Sequence, residues 1–327
     1  MTVADYCRPP SRRHALLGAL GLGITVDFLG ARAWADSERA SAGKKLVVIV
    51  CRGGLDGLSL SPPVGDPHYQ ALRGPIALAP FGQPGGALKL DGAFGLHPAM
   101  AATHRLAMSG EARIAPAVAT PDRERSHFEA QDVLESGAAV VYGTSSGWLN
   151  RALETMGPGG KVKALSIGAT APLILRGRIE AASWSPGAAV ETDHRLPGIL
   201  HDLYAGDPLL GPALASGLAT RDMAKVATAD AAMLPASEMP GAASGTVEAQ
   251  AVLGGATYKG GARQAPALAR NLGATLAGFM TQPGGAQVAA VVIDGFDTHA
   301  NQGAAEGQLA VRLSYVVVFF FFLFSGL

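Results

Sequence analysis

The run Leu46-Val47-Val48-Ile49-Val50-Cys51 contains no polar side chain, and four of its six residues are β-branched. A strand of that kind is stable only when both faces are covered, the condition of a parallel sheet held between helices. The segment "AQVAAVVIDG", Ala286 to Gly295, has the same character near the other end of the chain. Both runs stop at glycine and an acid: Gly53-Gly54-Leu55-Asp56-Gly57 after the first, Asp294-Gly295-Phe296-Asp297 after the second. Open parallel sheets put their ligands beyond the carboxyl ends of the strands. The sequence therefore predicts an α/β fold with a mostly parallel sheet and its chemistry along one edge.

Between these runs strands alternate with helices. "ARIAPAVA", Ala112 to Ala119, reads as a second strand, although Pro116 lacks a donor for a ladder. "VKALSIG" and "PLILRG" are shorter strand candidates. Helices are expected over Pro98–Ser109, His127–Glu135, Trp148–Met156, Leu209–Met233 and Ala262–Met280. Pro235–Gly261, rich in Gly, Ala and Ser, reads as a connector or a short helical insert.

The two ends differ from the middle. Arg12 and Arg13 precede an apolar run from Ala15, and Ala33-Trp34-Ala35 closes it. That is the layout of an export signal over residues 1–35, cleaved after Ala35, and Ser11-Arg12-Arg13 with Leu16 and Leu17 resembles the twin-arginine type. A membrane anchor is the alternative, but Asp27 and Arg32 interrupt a run already short of the ~20 residues a span needs. The expected location is periplasmic or secreted, with the twin-arginine translocon as a transient partner. Without that segment Cys51 stands alone, and a single cysteine closes no internal disulfide. At the other end, Val316–Leu327 holds five of the 11 phenylalanines. Its nine apolar residues from Val316 are too few for a stable membrane span. The run reads as an apolar tail, foreign to residues 44–315, in which the reading frame is lost near Tyr315; a buried edge strand is the alternative.

Lys+Arg and Asp+Glu both number 26, so nothing favours nucleic acid as a partner. Three polar motifs follow predicted strands. In the first, glycines let backbone approach a ligand closely at Gly54, and Asp56 is either a ligand for a divalent cation or an acid bonding its own turn. The second is "PDRERSHFEAQDVLESG". Ser126 is a candidate nucleophile at a helix N-terminus, His127 a candidate proton carrier or metal ligand, and Arg123 and Arg125 candidates for holding an anionic ester. Against that, Ser126 and Glu129 have the spacing of a capping box. The third is "VVIDGFDTHANQG". Asp297 and His299 alternate on an extended segment and point the same way, as two ligands of one metal would. His97, before a helix, is a cap neighbour or a pocket residue.

The blocks "RGGLDGLS", "DGAFGLHPAM", "RSHFEAQDVLESG", "GWLNRAL" and "DGFDTHANQG" resemble successive blocks of the DUF1501 family, from about Lys44 to Tyr315. These exported bacterial proteins are grouped with the alkaline phosphatase and sulfatase superfamily. The resemblance implies a three-layer α/β/α sandwich with a divalent-metal site (Zn, Mg, Mn or Ca) held by Asp56, Asp297 and His299, Ser126 near the nucleophile position, and a small anionic ester as substrate. The "TEFGRT"-like and "GTDHG"-like blocks of the family are missing. That implies a sheet incomplete at its C-terminus and a metal site short of ligands. The expected function is a metal-dependent phosphate- or sulfate-ester hydrolase, inactive in this form; the alternative is a non-catalytic exported binding or assembly protein that keeps the fold.

Overall fold

The computed structural model describes residues 44–156, 164–168, 171–185, 196–232, 251–253, 256–258 and 265–327. The export segment 1–35 lies outside them, as do residues 235–250 of the Gly/Ala/Ser-rich connector. The first half of the chain forms β1 (Leu46–Cys51), α1 (Gly57–Leu60), α2 (Tyr69–Arg73), β2 (Leu88–Lys89), β3 (Gly95–Leu96), α3 (Ala101–Met108), α4 (His127–Ser136) and α5 (Trp148–Thr155). The second half forms β4 (Ala164–Ile167), β5 (Ala181–Trp184), α6 (Leu196–Tyr204), α7 (Leu210–Ala232), β6 (Ala251–Leu253), β7 (Ala256–Tyr258), α8 (Ala265–Thr281), β8 (Val288–Ile293) and α9 (Gln308–Gly326).

Four parallel strands stand in the order β5-β4-β8-β1. β8 is central, pairing with β4 on one side and over its whole length with β1 on the other, from Leu46↔Val288 to Cys51↔Ile293. The short antiparallel pair β6–β7 joins the end of β8 through Leu253↔Ile293. Every residue of β8 is buried, as its unbroken apolar sequence requires. Alternate side chains enter two separate clusters. Val47, Ile49 and Cys51 of β1 join Ala289, Val291 and Ile293 of β8 against α7, α8 and α9. Val48 and Val50 join Val288 and Ala290 against Leu149 and Leu153 of α5 and against Ile174 and Leu175. Helices thus lie on both faces of the sheet.

Two expected strands do not form. Ala112–Ala119 takes no regular structure: Pro116 has no N–H to give, and Ala117 takes the left-handed φ of 56°. "PLILRG" folds as a 3₁₀ turn, Leu173–Leu175, and the strand beside β4 is instead Ala181–Trp184. The turn forms because Ile174 donates its N–H to the buried Glu135 carboxylate at 3.1 Å. This takes from a ladder the donor a strand would use.

The phenylalanine run is not an edge strand. α9 continues through Tyr315 without a break and lies along α8. Val316, Val317, Val318, Phe319, Phe322 and Leu323 are buried. β-branched and aromatic residues favour strands in isolation, but burial outweighs propensities worth only tenths of a kcal/mol per residue. α9 is the one described helix long and apolar enough to cross a membrane, and 56% of its most apolar stretch is buried inside the protein.

Candidate metal centre

Because β1 and β8 are parallel and end in register, the segments that follow them leave the same edge together. Arg52 donates its N–H to Ile293 at 2.9 Å, and Phe296 donates to Arg52 at 3.0 Å. The ladder therefore runs on past both strands and places Gly53 beside Asp297. Gly53 has a φ of +104°, and a Cβ there would stand 2.4 Å from the Asp297 nitrogen. A Cβ on Gly54 would stand 2.7 Å from Nδ1 of His127. Gly54, expected to contact substrate, instead leaves room for the ring of His127. That is why the turn is bare: its emptiness is filled from two other parts of the chain.

The ring of His127 comes from the first residue of α4. Its Nε2 lies 3.4 Å from Nε2 of His299 and 3.9 Å from Oδ1 of Asp297. Nε2 of His299 lies 2.9 Å from the same Oδ1. One ion with ~2.0 Å bonds at tetrahedral angles needs donors about 3.3 Å apart. The three observed separations bracket that value, and the donor set, two imidazoles and one carboxylate, suits a borderline cation such as zinc. All three residues are exposed. Solvent therefore reaches the open side of the triangle.

Asp56 does not enter this group. Its Oδ1 accepts the N–H groups of Leu58 and Ser59 at 3.1 and 3.3 Å, capping α1. Its Oδ2 accepts from Ser59 Oγ at 2.9 Å, from Gln302 Nε2 at 2.8 Å and from the Arg73 guanidinium. Burial pushes this carboxyl up. The hydrogen bonds from Gln302, Arg73 and Ser59 and the charge of Arg73 outweigh it, holding the acid below the usual carboxylate range. A carboxylate accepting from five donors has little left for a metal, and Asp56 stands outside the triangle, tying α1 to Gln302 and Arg73.

Ser126 caps α4, accepting the N–H of Glu129 at 3.4 Å. Arg123 and Arg125 are exposed in the segment leading into α4, with Arg125 at a left-handed φ of 56°. Asp294 is half-buried behind the site. Burial pushes its carboxyl up, opposed by the Arg52 charge and reinforced by that of Glu135. Burial pushes the Cys51 thiol up to about 12.

Sequence reasoning missed Gln302, Arg73 and the Arg52–Glu135 pair. Gln302 lies within the "DTHANQG" block, but no local pattern announces a partner 246 residues away. His97 turns out fully buried. Its Nδ1 accepts from Ala99 N–H at 3.1 Å and its Nε2 donates to the carbonyl of Ala304 at 2.8 Å, which fixes the tautomer and pins the loop after His299.

Burial holds the His97 imidazole below its ordinary value, only partly opposed by the Ala304 bond. The unfolded chain then binds the extra proton more readily than the native one. This contribution is complete above about 6.5, the unfolded value, and is lost as pH falls through and below it. Thermal unfolding followed from pH 8 to pH 5 should show a fall in midpoint that His97→Gln flattens. Equal slopes in both proteins would remove His97 from the account.

Comparison with protein-family models, curated proteins and solved structures finds no match to this chain.

Proposed function

We propose that the chain holds one divalent cation on His127, Asp297 and His299 and hydrolyses a phosphate or sulfate ester there, outside the cytoplasm after twin-arginine export. The observation that carries this reading is the triangle of donors contributed by α4 and by the segment after β8. Three protein ligands with an exposed fourth side is the pattern of a catalytic rather than a structural site. The resemblance of the motif blocks to the DUF1501 family supports a metal at this edge on Asp297 and His299, although it implied Asp56 rather than His127 as the third ligand.

A bound ion there supplies Lewis-acid polarisation of the ester oxygen. The chain's own groups do the rest. Arg123 and Arg125 draw the anion toward the start of α4, where unpaired N–H groups favour negative charge. The Ser126 oxygen accepts the Glu129 N–H, so its hydroxyl proton stays free to be donated to an ester oxygen. The capping bond also favours the second reading, a non-catalytic binding or assembly protein, because it ties the serine to its helix.

Turnover of p-nitrophenyl phosphate and p-nitrophenyl sulfate by the full chain, with Zn, Mn, Mg or Ca added in turn, separates the two. Ion-dependent release of p-nitrophenol that Asp297→Ala abolishes supports the hydrolase. Stoichiometric ion binding without release from either ester supports the binding protein.

A further inference from the structure

We propose that Asp56, acting through Gln302 and Thr298, is a positioning residue that sets the orientation of the Asp297–His299 ligand pair. This rests on the metal reading above and adds to it a group outside the ligand triangle.

Two hydrogen bonds in series connect a half-buried anion to the ligand loop. A carboxylate only accepts, so the Asp56 Oδ2 facing Gln302 selects the amide's NH₂ end, at 2.8 Å. The same NH₂ reaches Ser59 Oγ at 3.0 Å. With both donors turned that way, the amide oxygen faces Thr298 and accepts its hydroxyl at 2.7 Å. Thr298 is the single residue between Asp297 and His299. Its side chain is tied to Gln302 while its two neighbours supply the ligand atoms. Arg73 holds the far end of the series, bonding both the Asp56 Oδ2 and Ser59 Oγ. The loop is thus fixed from Gln302 inward by charge, independently of the His97 bond that holds Ala304.

A series built only for packing would not need the amide oriented. Here the orientation matters, because reversing it would set a carbonyl oxygen against the Asp56 carboxylate, which only accepts. Outer groups that orient metal ligands are typically worth ~10–100-fold in metal affinity.

The test is competition titration of the full chain with Zn²⁺, together with the visible spectrum of the Co²⁺ form. Thr298→Val removes one hydroxyl and leaves the Asp56 cap intact, so it avoids the folding loss that Asp56→Asn could bring. Thr298→Val and Gln302→Leu should each weaken Zn²⁺ binding ~10–100-fold and shift the Co²⁺ bands, and Thr298→Ser, which restores the hydroxyl, should recover both. If wild type binds tightly and Thr298→Val binds as tightly with an unchanged Co²⁺ spectrum, the positioning role is overturned and the metal reading stands. If wild type binds neither ion, both fall together.

Discussion

His299→Ala is expected to leave the protein without its ion, and His127→Ala is expected to do the same. The two residues lie 172 positions apart, yet their Nε2 atoms are 3.4 Å from each other. Either substitution reduces three donors to two. The loss should exceed the ~10–100-fold that removal of an outer partner brings. Metal content measured after dialysis, with the affinity from Zn²⁺ competition, gives both numbers. The pairing of the two variants is the sharp part. Loss in His299→Ala with full retention in His127→Ala would mean that Asp297 and His299 act alone and that α4 contributes no ligand.

The parallel core was legible because β1 and β8 carry uninterrupted apolar runs that only a doubly covered strand tolerates. The helices Trp148–Thr155 and Ala265–Thr281 were legible for the converse reason, since apolar residues recur there at helical spacing. Two errors share one physical cause. "ARIAPAVA" and "PLILRG" have the composition of strands, but each contains a proline, and where their backbone donors go depends on partners far away. The N–H of Ile174 is claimed by Glu135, 39 residues earlier. The edge-strand alternative for Val316–Leu327 gives way to α9 because β-propensity is local and the helix is stabilised by α8.

At the site, Asp297 and His299 could be paired from their spacing alone, and His127 could be named but not assigned. What local sequence could not show is the competition for Asp56. An acid after two glycines suits a metal ligand and a helix cap equally. The balance is tipped by Arg73 and Gln302, which arrive from 17 and 246 positions away.

Glu135→Ala is expected to destabilise the fold by ~2–3 kcal/mol, below the ~3–5 kcal/mol of a fully buried ion pair because Arg52 keeps some access to solvent. The Glu135 side chain is 1% exposed and meets Arg52 Nη2 at 2.6 Å; the Arg52 side chain is 25% exposed. Arg52 Nε reaches the same oxygen at 3.2 Å, and Gln131 Nε2 at 2.9 Å. The other oxygen holds the N–H of Ile174. One carboxylate therefore joins the end of β1, the last turn of α4 and the turn that packs beside α5. Alanine leaves a cation and a buried N–H without partners, and both penalties act in the native state alone. Replacing the pair with apolar residues, Arg52→Met with Glu135→Leu, should cost less than Glu135→Ala, because no charge is left stranded. Urea unfolding of the two singles and the double measures the coupling. A strictly additive double would show that the two groups do not act as a pair. Ion binding should weaken in the singles as well, since Arg52 precedes Gly53 in the chain and Glu135 shares α4 with His127. Loosening either end of that ion pair frees the ligand it stands beside.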